Sequence, residues 1–357
     1  MTLDRQFPPE IVQLIVKESV SGLDLLSTQD GPTGSRFSTL RSFATVNSIW
    51  RAMSKRFLYK YVTLNSDEQA VQFLQACRAN GNEDVKYWVR SLSVTTKLFG
   101  GRDLRVFKSA DQIIDDLVDC ATRVRVLSLK SNSIDLSQIA GLKNLRRLHL
   151  VGCTMTDSPP RRPGHDQFSF LQDPSYSLPF LVHLNCYNSK VFGDAFFSPR
   201  CLPRLRSLAY REPRDADETA QLWNRFDALA PQLVAIKLYS DDACSQLLPH
   251  TKSLSLLSLP SHVPFSHALR HLKSAPRLLH LDLTSSTETR YSLQDQLQNS
   301  RKVGLERVLL NTEDAEEEWE EVLQDVVDKL GVKGIQVEVG ELGFMKAIER
   351  MDRILLE

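Results

Sequence analysis

One pattern of apolar residues recurs along most of the chain and limits the folds it can adopt. In each copy an apolar residue is followed three positions later by a second, and two positions after that by a third. Residues two apart on a β-strand point to the same side of a sheet, so each copy predicts one short strand facing a core. Ten copies can be read: Val89/Leu92/Val94, Val124/Leu127/Leu129, Leu145/Leu148/Leu150, Leu181/Leu184/Cys186, Leu205/Leu208/Tyr210, Leu233/Ile236/Leu238, Leu254/Leu257/Leu259, Leu278/Leu281/Leu283, Leu305/Val308/Leu310 and Val332/Ile335/Val337.

The segments between the copies favour helices, because they carry apolar residues three and four apart, as at Ile114, Leu117 and Val118. Alternating strands and helices predict an α/β fold with parallel strands. The longest interval between copies is rich in proline and polar residues, which predicts an insertion around 156–177. An ordinary parallel α/β fold is the alternative, although its strands are continuous apolar runs without this fixed spacing.

The first 65 residues show helical patterns instead. Two prolines and Glu10 suit the first turn of a helix, whose apolar face is Ile11, Leu14 and Ile15, widened by Val12 and Val16. A second helix is expected from Ser38 as N-cap, with a buried stripe that runs to Trp50, and a third over 52–59. An extended segment over 61–64 follows, and then a helix capped by Ser66.

The N-terminal segment contains Phe-Pro-Pro-Glu-Ile-Val-x-Leu-Ile, then Val46 followed by Trp50 and Arg51, then Phe-Leu-Tyr-Lys-Tyr-Val-Thr-Leu. These strings resemble an F-box-like domain of a divergent fungal kind. The apolar copies resemble leucine-rich repeats, whose period is about 20 to 29 residues. The resemblance implies an all-helical F-box-like domain over 1–65. A leucine-rich-repeat horseshoe over 66–357 would follow, with parallel strands and helices on its convex side.

The same resemblance implies a function. F-box proteins with leucine-rich repeats are substrate-recognition subunits of Skp–cullin–F-box ubiquitin ligases and are not themselves enzymes. The expected partners are a Skp-type adaptor, through it a cullin, and a target protein. The alternative is a leucine-rich-repeat scaffold or regulator outside any ligase, whose N-terminal helices only cap the repeats. The positions implied to contact the adaptor are apolar: Pro9, Ile11, Leu14, Ile15, Phe43, Val46 and Trp50.

Residues interleaved with the strand aliphatics would line the concave face of the horseshoe, because strand side chains alternate. Over the copies from Val124 to Leu233 the interleaved positions contain cations, histidines and tyrosines but no carboxylate. This composition predicts capture of an acidic or phosphorylated protein segment. A hydrated basic face without a dedicated ligand is the alternative. The predicted target-binding residues are Lys130, Arg147, His149, His183, Tyr187, Arg211, Lys237 and Tyr239.

No motif for catalysis, phosphate binding or metal binding is recognised, so neither a cofactor nor a metal is expected. The 44 basic and 44 acidic residues balance, which argues against a general binder of nucleic acid or of an anionic membrane surface. The six cysteines are scattered without paired spacing, and no signal peptide or membrane-spanning segment is recognised. A cytoplasmic or nuclear location is expected.

Overall fold

The structure is a computed structural model of the chain. It describes residues 8–19, 34–79, 85–95, 110–130, 133–156, 177–191, 196–211, 226–252, 254–260, 276–282, 305–312, 334–340 and 343–354, with a few single positions between them. The predicted insertion lies almost wholly outside the described residues. The chain forms two compact units, Met1–Leu178 and Pro179–Glu357. The predicted boundary at residue 65 stays a prediction.

The first unit begins with three helices that pack on one another: α1 (Pro9–Ser19), α2 (Gly34–Val46) and α3 (Ser48–Leu58). Helix α3 begins where the Asn47 side chain accepts hydrogen bonds from the amides of Ile49 and Trp50, at 2.9 and 3.1 Å. Two predicted boundaries were therefore wrong. Ser38 lies inside α2 rather than at its N-cap, and the third helix begins four residues earlier than expected.

Only one side of α1 enters the core of these helices. Val12 and Val16 are buried there with Leu40, whereas Ile11 and Leu14 are exposed. The sequence pattern had placed all of these α1 residues on one broad apolar face. The rest of the core is made of half-buried side chains from α2 and α3: Phe43, Ile49, Trp50, Met53, Phe57 and Leu58.

Parallel strands follow in the first unit. They are β1 (Tyr61–Leu64), β2 (Ser91–Thr95), β3 (Val126–Lys130) and β5 (Arg147–Val151), and they lie in the sheet in chain order. Their connections contain α4 (Asp67–Arg78), α5 (Val85–Trp88), α6 (Ala110–Cys120) and α7 (Leu136–Ala140). Short strands β4 (Ser133–Asp135) and β6 (Thr154–Thr156) pair beside them. Ser66 caps α4 as predicted, because its hydroxyl accepts from the amide of Gln69 at 3.2 Å.

The second unit contributes seven parallel strands, again in chain order: β7 (His183–Tyr187), β9 (Ser207–Arg211), β10 (Ala235–Lys237), β11 (Leu256–Pro260), β12 (Leu278–Asp282), β13 (Arg307–Asn311) and β14 (Gln336–Gly340). A two-residue strand, β8 (Lys190–Val191), follows β7. The helices whose bounds are described in this unit include α8 (Asp241–Leu247) and α9 (Phe344–Ile354), with short 3-10 helices at Ala230–Gln232 and Leu248–His250. The prediction of an α/β fold with parallel strands is confirmed, while the horseshoe shape and the F-box identity stay predictions.

Strand register tests the individual copies. The middle residue of each motif pairs with that of the next strand. Leu92 pairs with Leu127 and Leu127 with Leu148; in the second unit Leu208 pairs with Ile236 and Ile236 with Leu257. Two copies were wrong by two residues. Leu257 pairs with Leu279, so the eighth copy reads Pro276/Leu279/Leu281, and Val308 pairs with Val337, so the last reads Gly334/Val337/Val339.

The physical reason for each error is visible. Pro276 occupies the first motif position, where the pattern expects an aliphatic residue, and Leu278 then faces the opposite side of the sheet. In the last copy Val332, taken as a motif residue, is 91% exposed. Neighbouring strands, and not local spacing alone, select one of two registers that are both rich in aliphatic residues.

Helix α9 packs on the face that carries the interleaved residues. Its apolar stripe is Phe344, Ala347, Ile348 and Met351, which recur at helical spacing. This stripe lies over β11 and β12 and forms one buried cluster with an interleaved residue from each of five adjacent strands: Ala209, Ala235, Leu256, Leu278 and Leu309. The expectation that helices lie only on the opposite, convex side was therefore wrong for α9.

Candidate functional site

Four predicted target-binding residues of the second unit meet at the carboxyl ends of three adjacent strands. Tyr187 ends β7 and pairs directly with Arg211, which ends β9. Lys237 ends β10, where it pairs with Ala209 of β9, and Tyr239 follows two residues later on the same side. All four side chains are half-buried. We call them the Tyr–Arg cluster.

The guanidinium of Arg211 is held by both tyrosines. Its carbon lies 4.8 Å from the ring centre of Tyr187 and 5.5 Å from that of Tyr239. The two rings meet edge to face at 5.9 Å, and an Nη1–H of Arg211 donates to the Tyr187 hydroxyl. The ammonium of Lys237 lies 5.2 Å from the Tyr239 ring centre. Cation–π contacts of this kind fix the direction of a cation, and each contributes about 0.5–1 kcal/mol at exposed sites.

Asn188 supports this arrangement, and the sequence analysis missed it. Its backbone lies in the left-handed region, with φ of 49°, which asparagine tolerates better than most residues. In that conformation its backbone N–H donates to the backbone carbonyl of Arg211 at 3.0 Å. The turn after β7 is thereby fixed against the end of β9, which holds Tyr187 beside Arg211. An asparagine directly after a strand motif is the sequence signal that could have indicated this turn.

The electrostatics of the Tyr–Arg cluster favour an anion. Among the residues that the structure describes, Arg211 forms no ion pair with a carboxylate, and its only hydrogen-bond partner through the side chain is Tyr187. Several of its N–H groups stay available, and a guanidinium binds carboxylate or phosphate with two parallel hydrogen bonds. The cluster can therefore hold an acidic side chain or a phosphate.

The other predicted target-binding residues are placed differently. In the first unit Lys130 is exposed, but Arg147 and His149 are only 4% and 6% exposed. The expectation that these two face solvent was wrong. In the second unit His183 is half-buried on β7, on the same side as Tyr187 but four residues earlier. Of the predicted target-binding residues in the second unit, four therefore come together in the Tyr–Arg cluster.

Burial changes the chemistry of His149. Loss of hydration lowers the pKa of its imidazole to about 4, and the charge of Arg147 adds to this effect. His149 is therefore neutral at pH 7 and cannot contribute a positive charge to an anion site.

A pH dependence of stability follows. Unfolded His149 takes up a proton below its ordinary pKa near 6.5, whereas folded His149 resists protonation until about pH 4. The free energy of unfolding is therefore complete above pH 6.5 and falls by up to about 3 kcal/mol as the pH drops to 4. Urea titrations at pH 7 and 4.5 measure this change. His149→Gln should remove most of this change in the free energy of unfolding, whereas Arg41→Gln, at an exposed position of the same unit, should leave it. Equal slopes in all three proteins would contradict the assignment.

The predicted adaptor-binding residues separate into two groups. Ile11, Leu14 and Val46 are exposed large hydrophobic residues, at 42%, 53% and 60%, and Pro9 is also exposed. Ile15, Phe43 and Trp50 are half-buried. The rings of Phe43 and Trp50 lie 4.9 Å apart within the core of the three helices, so they hold the helices together. The exposed group is the part that can contact another protein.

No model of a known protein family matches the chain, and no curated protein sequence matches it. Within the described residues there is no group of three or more His, Cys, Asp or Glu side chains that could hold a metal. No described helix is long and apolar enough to cross a membrane. All six cysteines are free thiols, and all but Cys120 are buried.

Proposed function

We propose that the chain is the substrate-recognition subunit of a Skp–cullin–F-box type ubiquitin ligase. Its N-terminal helices would bind the Skp-type adaptor, and the Tyr–Arg cluster would bind an acidic or phosphorylated segment of the target protein. The observation that carries the proposal is the division of α1. Val12 and Val16 supply its buried side, while Ile11 and Leu14 are left on its surface.

This division supports an interface on energetic grounds. Ile11 and Leu14 lie three residues apart and therefore side by side on α1. Burying a Leu or Ile side chain in an interface contributes about 1.5–3 kcal/mol relative to leaving it in water. The three helices already have a core without these two residues. The F-box resemblance supplies the occupant, because the matched motif residues include Pro9 and Ile11.

The Tyr–Arg cluster supports the second half of the proposal. Interfaces concentrate their binding energy in a few tyrosine, tryptophan and arginine side chains. Arg211 would bind the anion by donating hydrogen bonds to it, and the two tyrosines would provide rigid apolar contact on either side. A non-ligase scaffold with the same cluster is the alternative, and it differs in not needing the surface of α1.

The adaptor prediction is tested with the full chain. We expect a purified Skp-type adaptor to form a stable complex with it, and Ile11→Asp together with Leu14→Asp to weaken that complex at least about a hundredfold, since two apolar contacts are replaced by desolvated charges. Binding is measured by calorimetry. Arg41→Glu, at an exposed position of α2, is the control for added charge on the same helices. Failure of the wild-type chain to bind the adaptor would favour the scaffold.

The target prediction uses Arg211. We expect the chain to select phosphorylated or acidic sequences from an immobilised peptide library, and Arg211→Glu to lower that binding at least about tenfold because a charge-assisted hydrogen-bonding pair becomes a repulsive one. Arg206→Glu is the control. Arg206 is exposed and directly precedes β9, at the opposite end of the strand from Arg211, so this variant should bind as the wild type does. Peptide selection unchanged by Arg211→Glu would contradict the assignment of the cluster.

A further inference from the structure

The first unit carries a row of cations along one edge of its sheet. The residues that directly precede β1, β2, β3 and β5 are Lys60, Arg90, Arg125 and Arg146. Their backbones are linked in that order, because each amide donates to the preceding carbonyl at 3.0, 2.8 and 2.8 Å. Adjacent strands are about 4.8 Å apart, so four positive residues follow one another along this edge.

The equivalent edge of the second unit shows that the fold does not require this row. There the corresponding series from β9 to β13 is Arg206, Val234, Ser255, Arg277 and Glu306. Its last two residues neutralise each other, since the guanidinium of Arg277 donates two hydrogen bonds to the carboxylate of Glu306, both at 2.9 Å. The positive row of the first unit is thus a property of its sequence and not of the repeat.

A pocket opens beside the first two members of the row. It has a volume of about 420 Å³. Four cations line it together with apolar and aromatic side chains, and α1, α3, α5 and the strand edges all contribute. The lining residues are Gln13, Met53, Arg56, Phe57, Lys60, Tyr87, Trp88, Arg90 and Arg123.

Three contacts hold two of the cations of this pocket, Arg90 and Arg123, in place. An Nη1–H of Arg90 donates to the carbonyl of Tyr87 at 2.6 Å and to that of Val89 at 3.1 Å. The guanidinium of Arg123 lies 4.9 Å from the ring centre of Tyr87. The side chains are therefore positioned before any ligand arrives, which lowers the entropy lost on binding.

The cations repel one another. Burial lowers the pKa of the Lys60 ammonium, and Arg90, Arg125 and Arg56 lower it further. The pKa of Arg90 is lowered in the same way, by burial and then by Arg125, Arg123 and Arg56. Within the described part of the chain none of these residues pairs with a carboxylate. Such an excess of like charge destabilises the folded chain until an anion compensates it.

We propose that this pocket binds a small soluble organic polyphosphate, a compound with two or more adjacent phosphate groups and a ring that contacts the aromatic wall. Several phosphates match Arg56, Lys60, Arg90 and Arg123 in number and sign. Phe57 and Trp88 provide the apolar surface for the rest of the ligand. A volume of about 420 Å³ suits a molecule of nucleotide size. The site does not include Ile11 or Leu14 of α1, and it lies in the other unit from the Tyr–Arg cluster.

Calorimetry on the full chain at low salt tests this, with ATP, ADP, AMP and inorganic tripolyphosphate as probes. We expect saturable binding that strengthens from AMP to ATP, and ATP to bind more tightly than tripolyphosphate because of the aromatic wall. The double variant Arg56→Glu, Arg123→Glu should raise the dissociation constant for ATP at least about tenfold, since two attractive contacts become repulsive. Arg41→Glu is the matched control, because it adds the same kind of charge change to the same unit outside the pocket.

Three results would overturn the proposal. One is that no probe binds at millimolar concentration, and another is that the double variant and Arg41→Glu lose affinity equally. The third is that the chain sediments with vesicles containing a phosphorylated inositol lipid while none of the soluble probes binds, which would make a membrane headgroup the ligand. Thermal unfolding of the double variant without ligand should match or exceed that of the wild type, because repulsion is relieved. A folded double variant therefore separates loss of the site from loss of structure.

Discussion

Replacing both Phe344 and Ile348 with alanine is expected to lower the free energy of unfolding of the second unit by about 5 kcal/mol or more. Each side chain is buried between α9 and the sheet, and truncating a buried Phe or Ile costs about 2–5 kcal/mol through lost burial and the cavity that remains. Small domains have a total stability of only about 5–15 kcal/mol. The double variant should therefore release α9 under conditions in which the wild type is fully folded.

Urea denaturation measures the energetic loss, and limited proteolysis shows whether cleavage within 343–354 becomes fast. Lys346→Ala is the control, since this residue is exposed on the same helix and both residues are good helix formers. If the double variant and Lys346→Ala behaved alike, the packing of α9 on the interleaved residues would be refuted.

A second large effect is expected at Val16, which is fully buried in the core of α1, α2 and α3. Val16→Asp places a carboxylate among apolar side chains without a partner. This costs several kcal/mol, more than the free energy of unfolding of three short helices. These helices should unfold, and adaptor binding should be lost with them. Hydrogen exchange of the α1 amides and far-UV circular dichroism report the unfolding.

Leu14→Asp is the matched comparison, two residues away on the same helix but 53% exposed. It should cost less than about 1 kcal/mol, mostly through the lower helix propensity of aspartate. We expect a folded protein that has lost the adaptor, whereas Val16→Asp loses both fold and adaptor. Should Leu14→Asp unfold the helices as Val16→Asp does, the surface and core sides of α1 have been assigned the wrong way round.

The sequence was sufficient to locate the strands where the motif was unambiguous. Leu127 and Leu148 sit in copies with one aliphatic register each, and they pair as expected. Around Leu278 and Leu279 two registers are equally aliphatic, and the spacing alone predicted the wrong one. The register is determined by hydrogen bonding to β11. Local spacing cannot reveal it, because the paired residues of β11 lie some 20 residues earlier in the chain.

The same limit applies to helix α1. Five of its residues are large and aliphatic, so no helical projection can say which of them face inward. Contact with Leu40 from α2 buries Val12 and Val16 and leaves Ile11 and Leu14 outside. Of the residues predicted to bind the adaptor, Ile11 and Leu14 are therefore exposed, whereas Phe43 and Trp50 pack in the core of the three helices, which the sequence pattern does not show.

The Tyr–Arg cluster was predictable because alternation along a strand fixes the side on which Tyr187 and Arg211 lie. Burial of Arg147 was not, since alternation says nothing about how much solvent reaches a face. The cationic row is visible in the sequence, because Arg90, Arg125 and Arg146 all directly follow the first residue of a motif copy. Strand alternation does not indicate it, because the row lies just before the strands.

Because α9 packs on the interleaved residues of β11 to β13, it lowers the affinity of any partner that binds to the same face. Such a partner competes with a segment tethered to the same chain, so its apparent dissociation constant is the intrinsic one divided by the fraction of molecules in which α9 is released. If release costs about 5 kcal/mol, that fraction is roughly one in 5,000, and binding weakens by the same factor. The Tyr–Arg cluster lies at the strand ends. Its ligand does not compete with α9 unless it extends onto the residues that α9 covers.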